Sequence, residues 1–161
     1  EPGGNTLEIE YYDPRAAAEG RSIAAPHWEH PLPESAFPGR GYVPQALTHG
    51  TLECDDKDAS ARFYRDVLGL QIAGGGRISV YIKHPASPWY IVVLPARRRR
   101  YLTPRNRFTL TLASSAAVEE AHRKLAAAGA GITALEDLRT EDGRPSFLLS
   151  DLDRNWWEIA A

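Results

Sequence analysis

The feature that most constrains this chain is an order of strand and helix signals that runs through it twice. Residues 47–54 alternate, with Leu47, His49, Thr51 and Glu53 on one face and Gly50, Leu52 and Cys54 on the other. Asp55 or Asp56 then caps a helix over 57–68, whose apolar stripe is Ala59, Phe63 and Val67, and Gly69 stops it. Residues 70–73, the triple glycine 74–76, and Ile78, Val80 and Ile82 predict a hairpin, and 89–94 a further, wholly apolar strand. The same order follows again. Residues 108–112 read as a strand, Ser114 or Ser115 caps a helix carrying Val118, Ala121, His122 and Leu125, and Gly129 ends it. Strands over 132–138, 147–149 and 156–159 follow, the first two joined by the hairpin turn Glu141-Asp-Gly-Arg144.

Two βαβββ units result, spanning 46–96 and 106–161. A unit of about 50 residues cannot bury a sufficient core by itself, so the two are expected to pack as one α+β domain, 46–161, around an open, mixed, eight-stranded sheet. Ahead of it, residues 13–45 carry six prolines and three glycines and read as an extended linker; His27 and His30 within it read as linker residues. Residues 1–12 read as a turn and a strand, with Leu7, Ile9 and Tyr11 on one face. Their Asn-Thr-Leu-Glu-Ile9 copies the Asn-Trp-Trp-Glu-Ile159 of the closing strand. With no methionine in the chain, we expect residues 1–12 to be the closing strand of a preceding, similar domain and the chain a piece of a longer polypeptide. Such a strand needs a sheet to join, which predicts a homodimer by exchange or association with an upstream fragment.

Composition narrows the function classes. The 19 basic and 21 acidic residues nearly cancel, which argues against a nucleic-acid or anionic-membrane binder, and no apolar run reaches the ~20 residues of a membrane span. The lone Cys54 excludes an internal disulfide and fits a reducing, cytoplasmic setting; on the apolar face of its strand it reads as buried and inert.

Three stretches carry a resemblance: Leu47-Thr-His-Gly-Thr-Leu52, Asp58-Ala-Ser-Ala-Arg-Phe-Tyr-Arg-Asp-Val-Leu-Gly-Leu70, and Asp151-Leu-Asp-Arg-Asn-Trp-Trp-Glu-Ile159. Together with the doubled βαβββ order they resemble the vicinal oxygen chelate superfamily of glyoxalases, extradiol dioxygenases, fosfomycin-resistance enzymes and bleomycin-binding proteins. The resemblance implies a cupped sheet around a cavity in which a divalent metal (iron, manganese, nickel or zinc) holds two neighbouring oxygens of a small molecule. It places the first ligand on His49 and the last on Glu158, both facing one cavity. The third position falls on Thr109 or Arg107, where threonine is a poor ligand and arginine has no free lone pair. His84, Glu8 or Glu10 are the substitutes within the chain.

Two functions stay open on this basis. One is a metal-dependent dioxygenase-like, lyase or isomerase domain acting on a small oxygenated, aromatic molecule. The other is a metal-free, bleomycin-resistance-type binding protein. Tyr81, Tyr90, Thr109 and Trp156 are the candidate cavity residues, although the aromatics equally suit a core. His122, in mid-helix, reads as structural, and the arginine run 97–100 as a solvated connector.

Overall fold

Alternation and capping act as the sequence dictates. In a computed structural model, which describes residues 49–161 apart from 88, 98–100 and 130, the first half runs β1 (His49–Cys54), α1 (Lys57–Asp66), β2 (Gln71–Gly75), β3 (Val80–Lys83) and β4 (Tyr90–Pro95). The second runs β5 (Phe108–Thr111), α2 (Ser115–Ala128), β6 (Ala134–Leu135), β7 (Arg139–Glu141), β8 (Arg144–Ser150) and β9 (Trp156–Ala160). The readings of residues 1–12 and 13–45, and most of the arginine run, lie outside the described residues. Asp56 caps α1 by accepting from the amides of Asp58 and Ala59, and Ser114 caps α2 by accepting from Ala117. Both helices give way to glycines with positive φ, Gly69 at 70° and Gly129 at 58°.

The two halves share one topology. Strand order is β1-β4-β3-β2 in the first sheet and β5-β9-β8-β6 in the second, with β7 also on β8. In each, the opening strand lies parallel to the closing one, and the remaining pairs are antiparallel. Leu135 and Arg139 are four positions apart, while their partners Leu149 and Ser146 are three apart. That one-residue slip splits the strand expected over 132–138 into β6 and β7. Among the described residues no strand of the first half pairs with one of the second, so the sheet expected to be continuous and eight-stranded is two open sheets of four and five strands. Side chains meet near the seam: a Cβ on Gly50 would lie 2.7 Å from the Phe108 ring, so β1 gives that ring room by carrying none.

One face of each sheet is covered. Leu52, Cys54, Val80, Ile82, Ile91 and Val93 of the first half join Phe147, Leu149, Trp157 and Ile159 of the second in one buried cluster. Helix α1 packs on β2, β3 and β4, and α2 on β8 and β9. Phe63 and Tyr64, at adjacent positions, carry the buried face of α1 more than Ala59 does. Burial pushes the Cys54 thiol up to about 11, in keeping with an inert core residue. His122 is structural, its Nε2 3.0 Å from the Glu136 carbonyl and its ring edge-on to Phe147.

The loop between β8 and β9 ties the halves together. Asp153 accepts from the Asp55 amide at 2.8 Å and from the Ser60 hydroxyl of α1, while the Asn155 amide donates to the Glu53 carbonyl. Asp151, fully buried, accepts from the Tyr64 hydroxyl (2.8 Å), the Trp157 indole (3.0 Å) and the backbone amides of Asp153 and Asn155. Each buried acceptor has its donors, which is what keeps so polar a loop inside.

Candidate functional site

Period-two alternation leaves the opposite face of each sheet open. In the first sheet it carries His49, Thr51, Tyr81, Tyr90 and Val92, set by the pairings His49↔Tyr90 and Tyr81↔Val92. The His49 ring stacks on Tyr90 with centroids 5.2 Å apart and planes 15° from parallel, and Tyr81 leans on Tyr90 at 5.5 Å. Three of the candidate residues therefore form one aromatic row.

On the second sheet the pairing Thr109↔Glu158 sets the open face, and Arg107, two residues before Thr109, shares it. Arg107 Nη2 donates to Glu158 Oε1 at 2.9 Å and the Thr109 hydroxyl donates to Oε2 at 2.8 Å. The other terminal nitrogen of Arg107 donates to the Pro104 carbonyl, and its Nε is buried without a partner. Arg107, then Thr109, hold the Glu158 carboxyl below the usual carboxylate range, so it is ionised at neutral pH. Thr109 also borders, with Trp89, Tyr90, Phe108, Trp157 and His84, a small pocket of about 40 Å³ between the halves. Glu158 borders a larger open hollow of about 460 Å³, whose other sides include Arg144 and Ser146 of β8. Trp156 is half-buried beside it in sequence, while its neighbour Trp157 fills the core.

This donor set does not suit a divalent ion. Among the described residues no three His, Cys, Asp or Glu side chains converge as ligands. Each oxygen of Glu158 already holds a donor, and one donor is a guanidinium whose charge opposes a second cation. His84, weighed as a substitute, instead uses Nδ1 to accept from the Ala86 amide. Arg107, set aside in the sequence because it has no free lone pair, thus engages Glu158 together with Thr109. Its place two residues before Thr109, on the face of the opening strand that meets β9, was the available signal.

Two βαβββ halves with matching strand order, open sheets and this pairing of opening and closing strands are the architecture that the resemblance to the vicinal oxygen chelate superfamily implies. The chain belongs to the family of the glyoxalase-like domain, whose model matches residues 49–157. An iron-dependent extradiol dioxygenase of Rhodococcus jostii is 36% identical over 80 residues, which are 48% of this chain and 22% of that protein. The chain therefore aligns with under a quarter of that relative's length. Among solved structures, lactoylglutathione lyase from Agrobacterium tumefaciens matches with TM-score 0.55 and 22% identity over 73% of this chain and 93% of that one. The fosfomycin resistance protein FosX from Listeria monocytogenes matches with TM-score 0.58 and 17% identity over 74% and 94%. At those identities the structural matches carry the fold alone. No helix among the described residues is long and apolar enough to cross a membrane.

Proposed function

We propose that this domain binds a small oxygenated, aromatic molecule without a metal, as a sequestering or presenting module. The observation that carries the reading is the occupation of Glu158 by Arg107 and Thr109, where the superfamily resemblance expects a metal ligand. The guanidinium supplies the positive charge a cation would bring, and it cannot leave with a chelator. In the aromatic row Tyr90 is buried against His49 and Tyr81, and those two partly exposed rings offer π-faces for a flat ligand.

The test is elemental analysis of protein purified without chelators, beside His49→Ala. We expect no stoichiometric iron, manganese, nickel or zinc in either protein. One metal per chain, lost in the variant, overturns the reading.

A second reading, a metal-dependent dioxygenase-like domain, is favoured by the identity to the Rhodococcus enzyme together with the presence of His49 and Glu158. The same metal analysis decides between them.

A further inference from the structure

Protein interiors pack to the density of organic crystals, and voids larger than a water are few in them. One such void lies between the two halves, which no strand pairing joins among the described residues. It measures about 40 Å³. A cavity needs roughly 10–15 Å³ to hold one water-sized group, so this one has room for about three.

The lining is apolar where it is buried. Leu70, Ile82, Ile91 and Trp157 all border the pocket and all lie in the core. The one polar side-chain atom among them, the Trp157 indole nitrogen, already donates to Asp151 at 3.0 Å. Among the described residues Arg107 Nε alone is a buried side-chain polar atom without a partner, and Arg107 does not line this pocket. No side chain at the buried end therefore calls for a water, and such a space favours an apolar group.

The lining residues that reach solvent are of another kind: Lys83, His84, Ser87 and Thr109. Their chemistry is one-sided. The Lys83 ammonium only donates. His84 uses Nδ1 to accept from the Ala86 amide, which leaves Nε2 to carry the proton and donate. Ser87 adds a hydroxyl. Thr109 has committed its own proton to Glu158, whose charge Arg107 offsets at 2.9 Å. A donor-bearing, positively charged rim thus stands over an apolar floor.

We propose that this pocket is a second ligand site, apart from the hollow beside Glu158, and that it takes a short-chain aliphatic carboxylate such as butyrate. The propyl tail fills the buried end, and the carboxylate stays at the rim, where Lys83, His84 and Ser87 supply charge and donors. The inference goes beyond the metal-free reading and does not rest on it.

The experiment is an NMR titration of the full chain, labelled at Leu and Ile methyl groups, with acetate, propionate, butyrate and hexanoate at constant ionic strength. Shifts are expected to saturate and to centre on Leu70, Ile82, Ile91 and Leu110, which all line the pocket. Affinity is expected to rise about fourfold with each carbon from acetate to butyrate, the worth of one buried CH₂, and to rise no further at hexanoate, whose tail exceeds the space. Butylammonium, with the opposite charge, is expected to bind severalfold more weakly than butyrate. Lys83→Gln is expected to narrow that difference while keeping the preference for butyrate over acetate. Leu110→Phe, which fills the pocket, is expected to remove the dependence on chain length. Melting curves check that both variants fold, and Lys83→Gln carries the test if Leu110→Phe does not. Affinity that keeps rising through hexanoate, butylammonium binding as tightly as butyrate, a charge preference unchanged in Lys83→Gln, shifts centred away from those four residues, or no saturable binding overturns the proposal.

Discussion

Asp151 and Glu158 are seven residues apart in the second half of the domain, and the fold treats them in opposite ways. Asp151 is fully buried and surrounded by neutral donors, two backbone amides, a phenol and an indole. Burial pushes its carboxyl upward, and the Trp157 and Tyr64 hydrogen bonds offset that only in part. Glu158 is 21% exposed, meets a guanidinium, and is held below its ordinary range. Asp151 uses every donor to close a loop against α1. Glu158 keeps acceptor capacity and opens onto a hollow. The fold fills the acceptors of Asp151 from within and leaves those of Glu158 room for more, a distinction that charge alone does not make.

The hardest way to break the comparison is at the joint. Asp151→Ala strands the Tyr64 hydroxyl, the Trp157 indole and two amides in the core, so we expect a loss of roughly 3–5 kcal/mol in denaturant unfolding. A loss under about 1 kcal/mol, the scale of a surface pair, would put Asp151 and Glu158 in one class after all. At the seam the expected cost is smaller. Gly50→Ala places a methyl against the half-buried Phe108 ring, which is itself in contact with Trp89 and Trp157. Overpacking of that kind costs about 2 kcal/mol, measured in the same titration. An unchanged midpoint would mean that the ring moves aside freely.

The architecture was legible because it rests on local rules. Alternation in 47–54, the Asp56 and Ser114 caps and the Asp142-Gly143 turn, whose φ angles are 50° and 74°, each declare themselves within a few residues. The break between β6 and β7 was not legible, because a bulge is a mismatch between two strands and only one of them is read at a time. The same limit governs the site. His49, Thr109 and Glu158 entered as candidates through the resemblance and Tyr90 through its aromatic ring, but the Arg107–Glu158 pair joins residues 51 apart. Ligand chemistry argued against arginine as a metal-binding residue, and what it did instead depended on a cross-strand neighbour. In the β8–β9 loop, Asp151, Asp153 and Asn155 stood out as a motif, while their partners Glu53, Asp55, Ser60 and Tyr64 lie in the other half.

Arg154 sharpens the view of that loop. It adopts φ 67°, a left-handed conformation that costs a side-chain-bearing residue about 1 kcal/mol, and it is exposed. Arg154→Gly is therefore expected to raise stability by up to about 1 kcal/mol, less what glycine adds to the freedom of the unfolded chain. A clear loss instead would show that the arginine side chain contributes to the joint.

The smallest effect separates the two carboxylates by sign. The folded Glu158 carboxyl titrates below its ordinary 4.5, so its contribution is fully present above that value and is lost as pH falls through the folded value. Asp151, raised above its ordinary 3.8, contributes in the opposite sense, most at acid pH and less as pH rises through its folded value. Glu158→Gln removes only the first contribution. Because the ion pair is partly open to solvent, we expect the variant to be less stable than the parent by about 1 kcal/mol or less at neutral pH. The gap should close as unfolding is repeated at successively lower pH below 4.5, where the parent carboxylate gains a proton and the variant has none to gain. A gap that persists unchanged through that window would mean that the Arg107–Glu158 charge pair carries none of it, and that the two carboxylates differ in geometry alone.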